Sequence, residues 1–88
     1  MKLKNGFVLE PVGGAYVAVA VGDEAALANA LVRMNGTGAF LWRLLSESDL
    51  TEGELIDRTV AEYGISREIA ERDITAFVKK LSDAGLLA

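Results

Sequence analysis

The alternation of apolar and polar positions divides the 88 residues into a β-rich front and a helical back. Phe7-Val-Leu-Glu-Pro-Val12 reads as a strand, and Tyr16-Val-Ala-Val-Ala-Val21, which alternates larger and smaller side chains, reads as a second. The Gly13-Gly14 pair between them predicts a hairpin turn. Pro11 has no amide proton to give a ladder, so the first strand is expected at a sheet edge, or its pairing ends there. Gly22-Asp23 then breaks the second strand.

Local rules conflict over residues 24–34. Four alanines and two leucines in Glu24–Leu31 favour helix, and propensity alone would carry that helix to Met34. Leu31-Val32-Arg33-Met34 suits a short strand about as well, and residues 24–29 read as loop or a single helical turn.

From Asn35 the signals are helical. Asn35 is a good N-cap, since its side-chain oxygen can accept from an orphan amide in the first turn. Ala39, Phe40, Leu44 and the pair Met34/Leu41 recur at three- and four-residue steps and predict one buried face. Phe40 and Trp42 are two residues apart and cannot both centre that face; Phe40 is assigned to the core and Trp42 to its rim. A polar linker, Ser46–Leu50, leads to Thr51-Glu-Gly-Glu54, a capping box. Leu55, Ile56, Val60 and Tyr63 give the second helix its stripe, with Gly64 as a left-handed C-cap. Ser66 caps a third helix from about Arg67 to Ala84, with Glu68 near its positive end and Gly85 closing it. Ala70, Ile74, Phe77, Val78 and Leu81 form its apolar centre, and Ile69, Asp73, Ala76 and Lys80 one flank. Three short β runs followed by three helices, with a tight helix–Gly–helix step, predict a winged-helix-type α+β domain spanning residues 1–88.

Composition narrows the chemistry. At 51% hydrophobic residues the chain carries enough apolar surface to fold around one modest core. It has no cysteine and no histidine, which removes disulfides, thiolate nucleophiles, thiolate and imidazole metal sites and the commonest general base. No catalytic constellation is legible, and no cofactor is expected. The acidic run Glu47, Asp49, Glu52, Glu54, Asp57 lacks the spacing of a calcium loop and reads as caps and a solvated helix face. The glycine pairs lack a phosphate-cradle fingerprint. No apolar run near the N-terminus is long enough for a signal peptide or membrane span, so the expected setting is cytoplasmic. The net charge is −4, and the deficit lies in the middle: residues 46–73 carry −6, while the segments on either side carry +1 each.

The runs FVLEPVGGAYVAV, VRMNGTGAFLWRLL and TEGELIDRTVAEYGIS, with a last helix ending DAGLL, resemble the PqqD-like family, the peptide-recognition elements of peptide-modifying pathways. The most specific stretch is Asn35–Trp42, which matches that family's asparagine-x-threonine-glycine-alanine, apolar, apolar, tryptophan run. Gly36 stands where the family usually has an acidic residue, a departure that bears on the helix cap and not on chemistry. The resemblance implies a three-stranded antiparallel sheet packed on three helices, with residues 30–34 as the third strand. It implies that this strand pairs with the leader segment of a precursor peptide, held against the third helix and presented to a modifying enzyme, typically a radical-SAM one. The residues this points to are Leu31, Val32, Arg33 and Met34 on the strand, and Ile69, Asp73, Ala76, Phe77 and Lys80 on the helix.

The competing reading is a winged-helix DNA-binding regulator. Charge decides against it. Arg67, Arg72, Lys79 and Lys80 are matched by Glu68, Glu71, Asp73 and Asp83, and the hairpin tip carries no basic residue. Neither nucleic acid nor a membrane is an expected partner. An exposed third strand would leave the chain a monomer, or a weak homodimer paired through that strand.

Overall fold

The computed structural model describes residues 1–21 and 32–88. Three strands, β1 (Phe7–Val12), β2 (Ala15–Ala20) and β3 (Val32–Met34), precede three helices, α1 (Gly36–Glu47), α2 (Glu52–Tyr63) and α3 (Arg67–Asp83). The sheet is antiparallel with β2 in the middle, so β1 and β3 are both edges. This is the winged-helix-like α+β arrangement expected from the pattern. The second strand sits one residue earlier than predicted, and the expected loop at 24–29 and residues 30 and 31 lie outside the described residues.

Gly13, at φ 61°, makes the left-handed step of the two-residue turn that joins Val12 to Ala15. The register pairs Ala18 with Val32 and Tyr16 with Met34. Ala18, Val32 and Met34 are buried, and α1 packs on β2 and β3. The core continues through Leu41, Trp42, Leu45, Leu55, Ile74, Leu81 and Leu86. On the opposite sheet face Val8 and Val12 stay exposed.

The helix N-caps and the Gly64 C-cap are as the sequence predicts, and the C-cap of α3 falls one residue earlier than expected. Thr51 Oγ1 accepts from the Glu54 amide at 3.1 Å while Glu54 Oε1 accepts from the Thr51 amide at 3.0 Å, closing the capping box. Gly64 takes the left-handed conformation, φ 64°, at the end of α2. Ser66 caps α3, which ends at Asp83 with Ala84 as its C-cap and Gly85, at φ 76°, immediately after.

One assignment is reversed. Trp42 is buried, only 5% exposed, whereas Phe40 is half-buried and meets Tyr63 edge-to-face at 5.5 Å between ring centroids. The buried stripe of α1 is Gly38, Ala39, Leu41, Trp42 and Leu45, in which 38/41/45 and 38/42/45 recur at three- and four-residue steps. Phe40 and Leu44 form a second apolar stripe on the flank towards α2, which periodicity alone does not rank below the first.

Candidate functional site

Which backbone groups face the sheet edges follows from one hydrogen bond. The Val21 amide donates to the Gly6 carbonyl at 2.7 Å, so odd-numbered residues of β2 turn their peptide groups towards β1 and even-numbered ones towards β3. Tyr16 and Ala18 therefore bond to Met34 and Val32, and the Arg33 N–H and C=O point away from the sheet. By the same alternation Pro11 faces the outer edge of β1, where its missing amide proton leaves a gap in any further ladder. One edge is blunted by proline. The other presents the Arg33 pair.

Beside that second edge lies a groove of about 310 Å³, floored by Met34, Gly38, Leu41 and Phe77 and walled by Asp73, Ala76 and Lys80. Local sequence rules place both walls. Asn35 is extended (φ −87°, ψ −173°) and its side-chain oxygen accepts from the Gly38 amide at 2.9 Å, so the chain passes from β3 into α1 through a single residue. The cap forms although no carboxylate occupies the first turn of α1. On α3, Ala70, Ile74, Phe77 and Leu81 are buried, which turns the adjoining stripe of Asp73, Ala76 and Lys80 outwards along the groove.

The sequence-derived candidates divide accordingly. Met34, Asp73, Ala76, Phe77 and Lys80 come together around the groove. Arg33 contributes its backbone, and its side chain is exposed on the other face of the sheet. Val32 is buried in the core, and Leu31 lies outside the described residues. Ile69 belongs to the same helical flank but is 42% exposed one turn beyond the groove. Asn35, Thr37, Gly38 and Leu41 line the groove without having been singled out. The Asn-x-Thr-Gly run carried that signal, since the glycine stands where any Cβ would run into the Met34 side chain.

Two of the four α3 cations, Arg67 and Lys79, are held in ion pairs, and Arg72 makes none among the described residues. Arg67 binds Asp57 at 2.6 Å and Glu71 at 3.6 Å, and the Asp57 hydrogen bond raises its already high pKa. Lys79 binds Asp83 at 3.0 Å. Lys80 differs: its Nζ donates to the Arg33 carbonyl on the outer edge of β3. Asp73 makes no ion pair among the described residues. Within the same residues no group of three or more His, Cys, Asp or Glu is placed to hold a metal ion. None of their helices is long and apolar enough to cross a membrane.

Residues 6–87 match the family model described as coenzyme PQQ synthesis protein D (PqqD). The chain belongs to the PqqD family. Its fold is also that of TbiB1, solved in complex with the TbiA(beta) leader peptide: TM-score 0.73, 25% identity, covering 99% of this chain and 94% of that one. Lasso peptide synthetase B1, solved with its leader peptide, superposes with a TM-score of 0.69 at 22% identity over 97% and 93% of the two chains. No curated protein matches the sequence.

Proposed function

We propose that this PqqD-family chain is a non-catalytic recognition module. It captures the leader segment of a ribosomally made precursor peptide by strand addition to β3, with the peptide's side chains in the groove against α3. The bound peptide is then presented to a modifying enzyme, of the radical-SAM class that the family resemblance brings with it, in the cytoplasm. The observation that carries this reading is the edge asymmetry: β1 is blunted by Pro11, while Arg33 of β3 faces outwards beside a lined groove. Main-chain bonds to such an edge supply affinity and the neighbouring pockets supply selectivity. The leader-peptide complex of TbiB1, on the same fold at 25% identity, supports a peptide as the ligand. The four basic residues of α3 are balanced by Glu68, Glu71, Asp73 and Asp83, and two of them, Arg67 and Lys79, are held in ion pairs, which argues against a DNA-binding role.

The test is an amide-shift titration of the labelled protein with the leader segment of a precursor encoded beside it. Shifts at residues 32–38 and 73–80 with micromolar-range affinity are expected. Shifts confined to other surfaces, or movement of α3 on adding duplex DNA while every such peptide fails, would overturn the reading.

A further inference from the structure

The Arg33 carbonyl, which a new strand would need as an acceptor, already has a donor: the Lys80 ammonium, reaching across from α3. Lys79 and Arg67 have carboxylate partners, whereas Lys80 has a neutral carbonyl and no ion pair among the described residues. A peptide amide that takes this carbonyl competes with a charged donor, and an ammonium driven off it must find another acceptor or return to water. No carboxylate on its own element stands ready. Asp83, the acidic residue nearest in sequence, is held by Lys79, and Asp73 lies seven residues back, roughly 10 Å along the helix at 1.5 Å per residue. The groove is therefore polarised, with an exposed cation at the Lys80 end and an exposed carboxylate at the Asp73 end.

Resting on the strand-addition reading above, we infer that Lys80 is a specificity-determining gate. It occupies the edge of β3 in the empty protein and moves onto an aspartate or glutamate of the incoming peptide when the strand adds. The preferred ligand is thus an extended segment with an acidic residue beside its strand-pairing stretch, at the Lys80 end of the groove. Peptides lacking that acid must displace the ammonium without compensation, and peptides with the acid at the opposite end meet Asp73. Lys80 does not create the fold: its side chain is exposed and α3 is anchored by Ala70, Ile74, Phe77 and Leu81.

The experiment uses a randomised twelve-residue peptide library displayed on phage, selected against the full chain and against its Lys80→Gln and Lys80→Arg variants. Amide spectra establish that each variant is folded, and competition with an Arg33→Pro variant identifies clones that need the β3 edge. Edge-dependent clones from the wild type and from Lys80→Arg are expected to be enriched several-fold in Asp or Glu at one position relative to an apolar anchor. Clones from Lys80→Gln are expected to lose that enrichment, and an acidic synthetic clone to bind Lys80→Gln about ten-fold more weakly. Edge-dependent clones with no acidic preference, or with the same preference in Lys80→Gln, would overturn the gate while leaving strand addition intact. If none of the selected clones depends on the β3 edge, strand addition itself fails, and the gate with it.

Discussion

A methyl group placed on Gly38 would lie 2.7 Å from Cβ of Met34, closer than non-bonded carbons approach. The last residue of β3 and the first buried turn of α1 are thus packed backbone to side chain, and this contact sets the floor of the groove. Gly38→Ala forces one of the two elements to shift, at a cost of about 1–3 kcal/mol. In a domain this small each kcal/mol lowers Tm by about 4–8 °C, which a thermal melt followed by circular dichroism resolves. Gly36 gives the opposite sign. It sits in the same turn with nothing within 4 Å of where a methyl would stand and no positive φ, so Gly36→Ala is expected to stabilise by about 0.4–1 kcal/mol.

The two flanks of α3 should separate stability from binding. Ile74 is fully buried, and Ile74→Ala should cost about 2–5 kcal/mol, a large part of the stability of a small domain. Ala76 is exposed in the groove wall, so Ala76→Leu should leave Tm within about 2–4 °C of wild type and weaken peptide binding about ten-fold. Ile69→Ala, one turn beyond the groove, should change neither. Calorimetric melts and fluorescence anisotropy with a labelled leader peptide read the two quantities independently.

Arg33→Pro tests the edge directly. The Arg33 amide points out of the sheet, so proline removes a donor that the fold does not use, as Pro11 does on β1. The variant should fold and lose peptide affinity by about ten-fold or more. Any concentration-dependent self-association through β3, measured by sedimentation velocity, should vanish with it.

Acid should weaken the capping box of α2. The Glu54 carboxyl is held below its ordinary pKa, chiefly by the hydrogen bond from the Thr51 amide and then by that of the Thr51 side chain. A carboxylate whose pKa falls on folding contributes stability that is fully present above its unfolded value, about 4.3, and is lost as pH drops through the folded one. Stability against pH should therefore decline below about pH 4, and Glu54→Gln should flatten part of that decline in denaturant titrations.

The elements legible in the sequence are those fixed by contacts a few residues apart. Thr51 with Glu54, Gly64 and Ser66 act on their own backbone, so the helix boundaries could be read directly. β3 could not be read that way. Val32 and Met34 are strand residues because Ala18 and Tyr16 pair with them, a tertiary fact that helix propensity opposes, and only the family resemblance predicted it. The exchange of Phe40 and Trp42 has the same origin: α1 carries two apolar stripes, and the sheet decides which is covered. The groove was half legible, since the α3 flank follows from its wheel, whereas Asn35 was read as a cap and Thr37 and Gly38 only as part of the family motif.

Helix α3 keeps the walls of its groove apart from the residues that anchor it, with Phe77 serving both. Ala70, Ile74, Phe77 and Leu81 hold it to the core, while Asp73, Ala76 and Lys80 face outwards and carry none of that packing. A module built this way can be re-addressed. Under the strand-addition proposal, exchanging three exposed side chains would rewrite which peptide is accepted without asking the protein to fold differently, so a lineage could follow a drifting precursor, or an engineer assign a new one, on an unchanged scaffold.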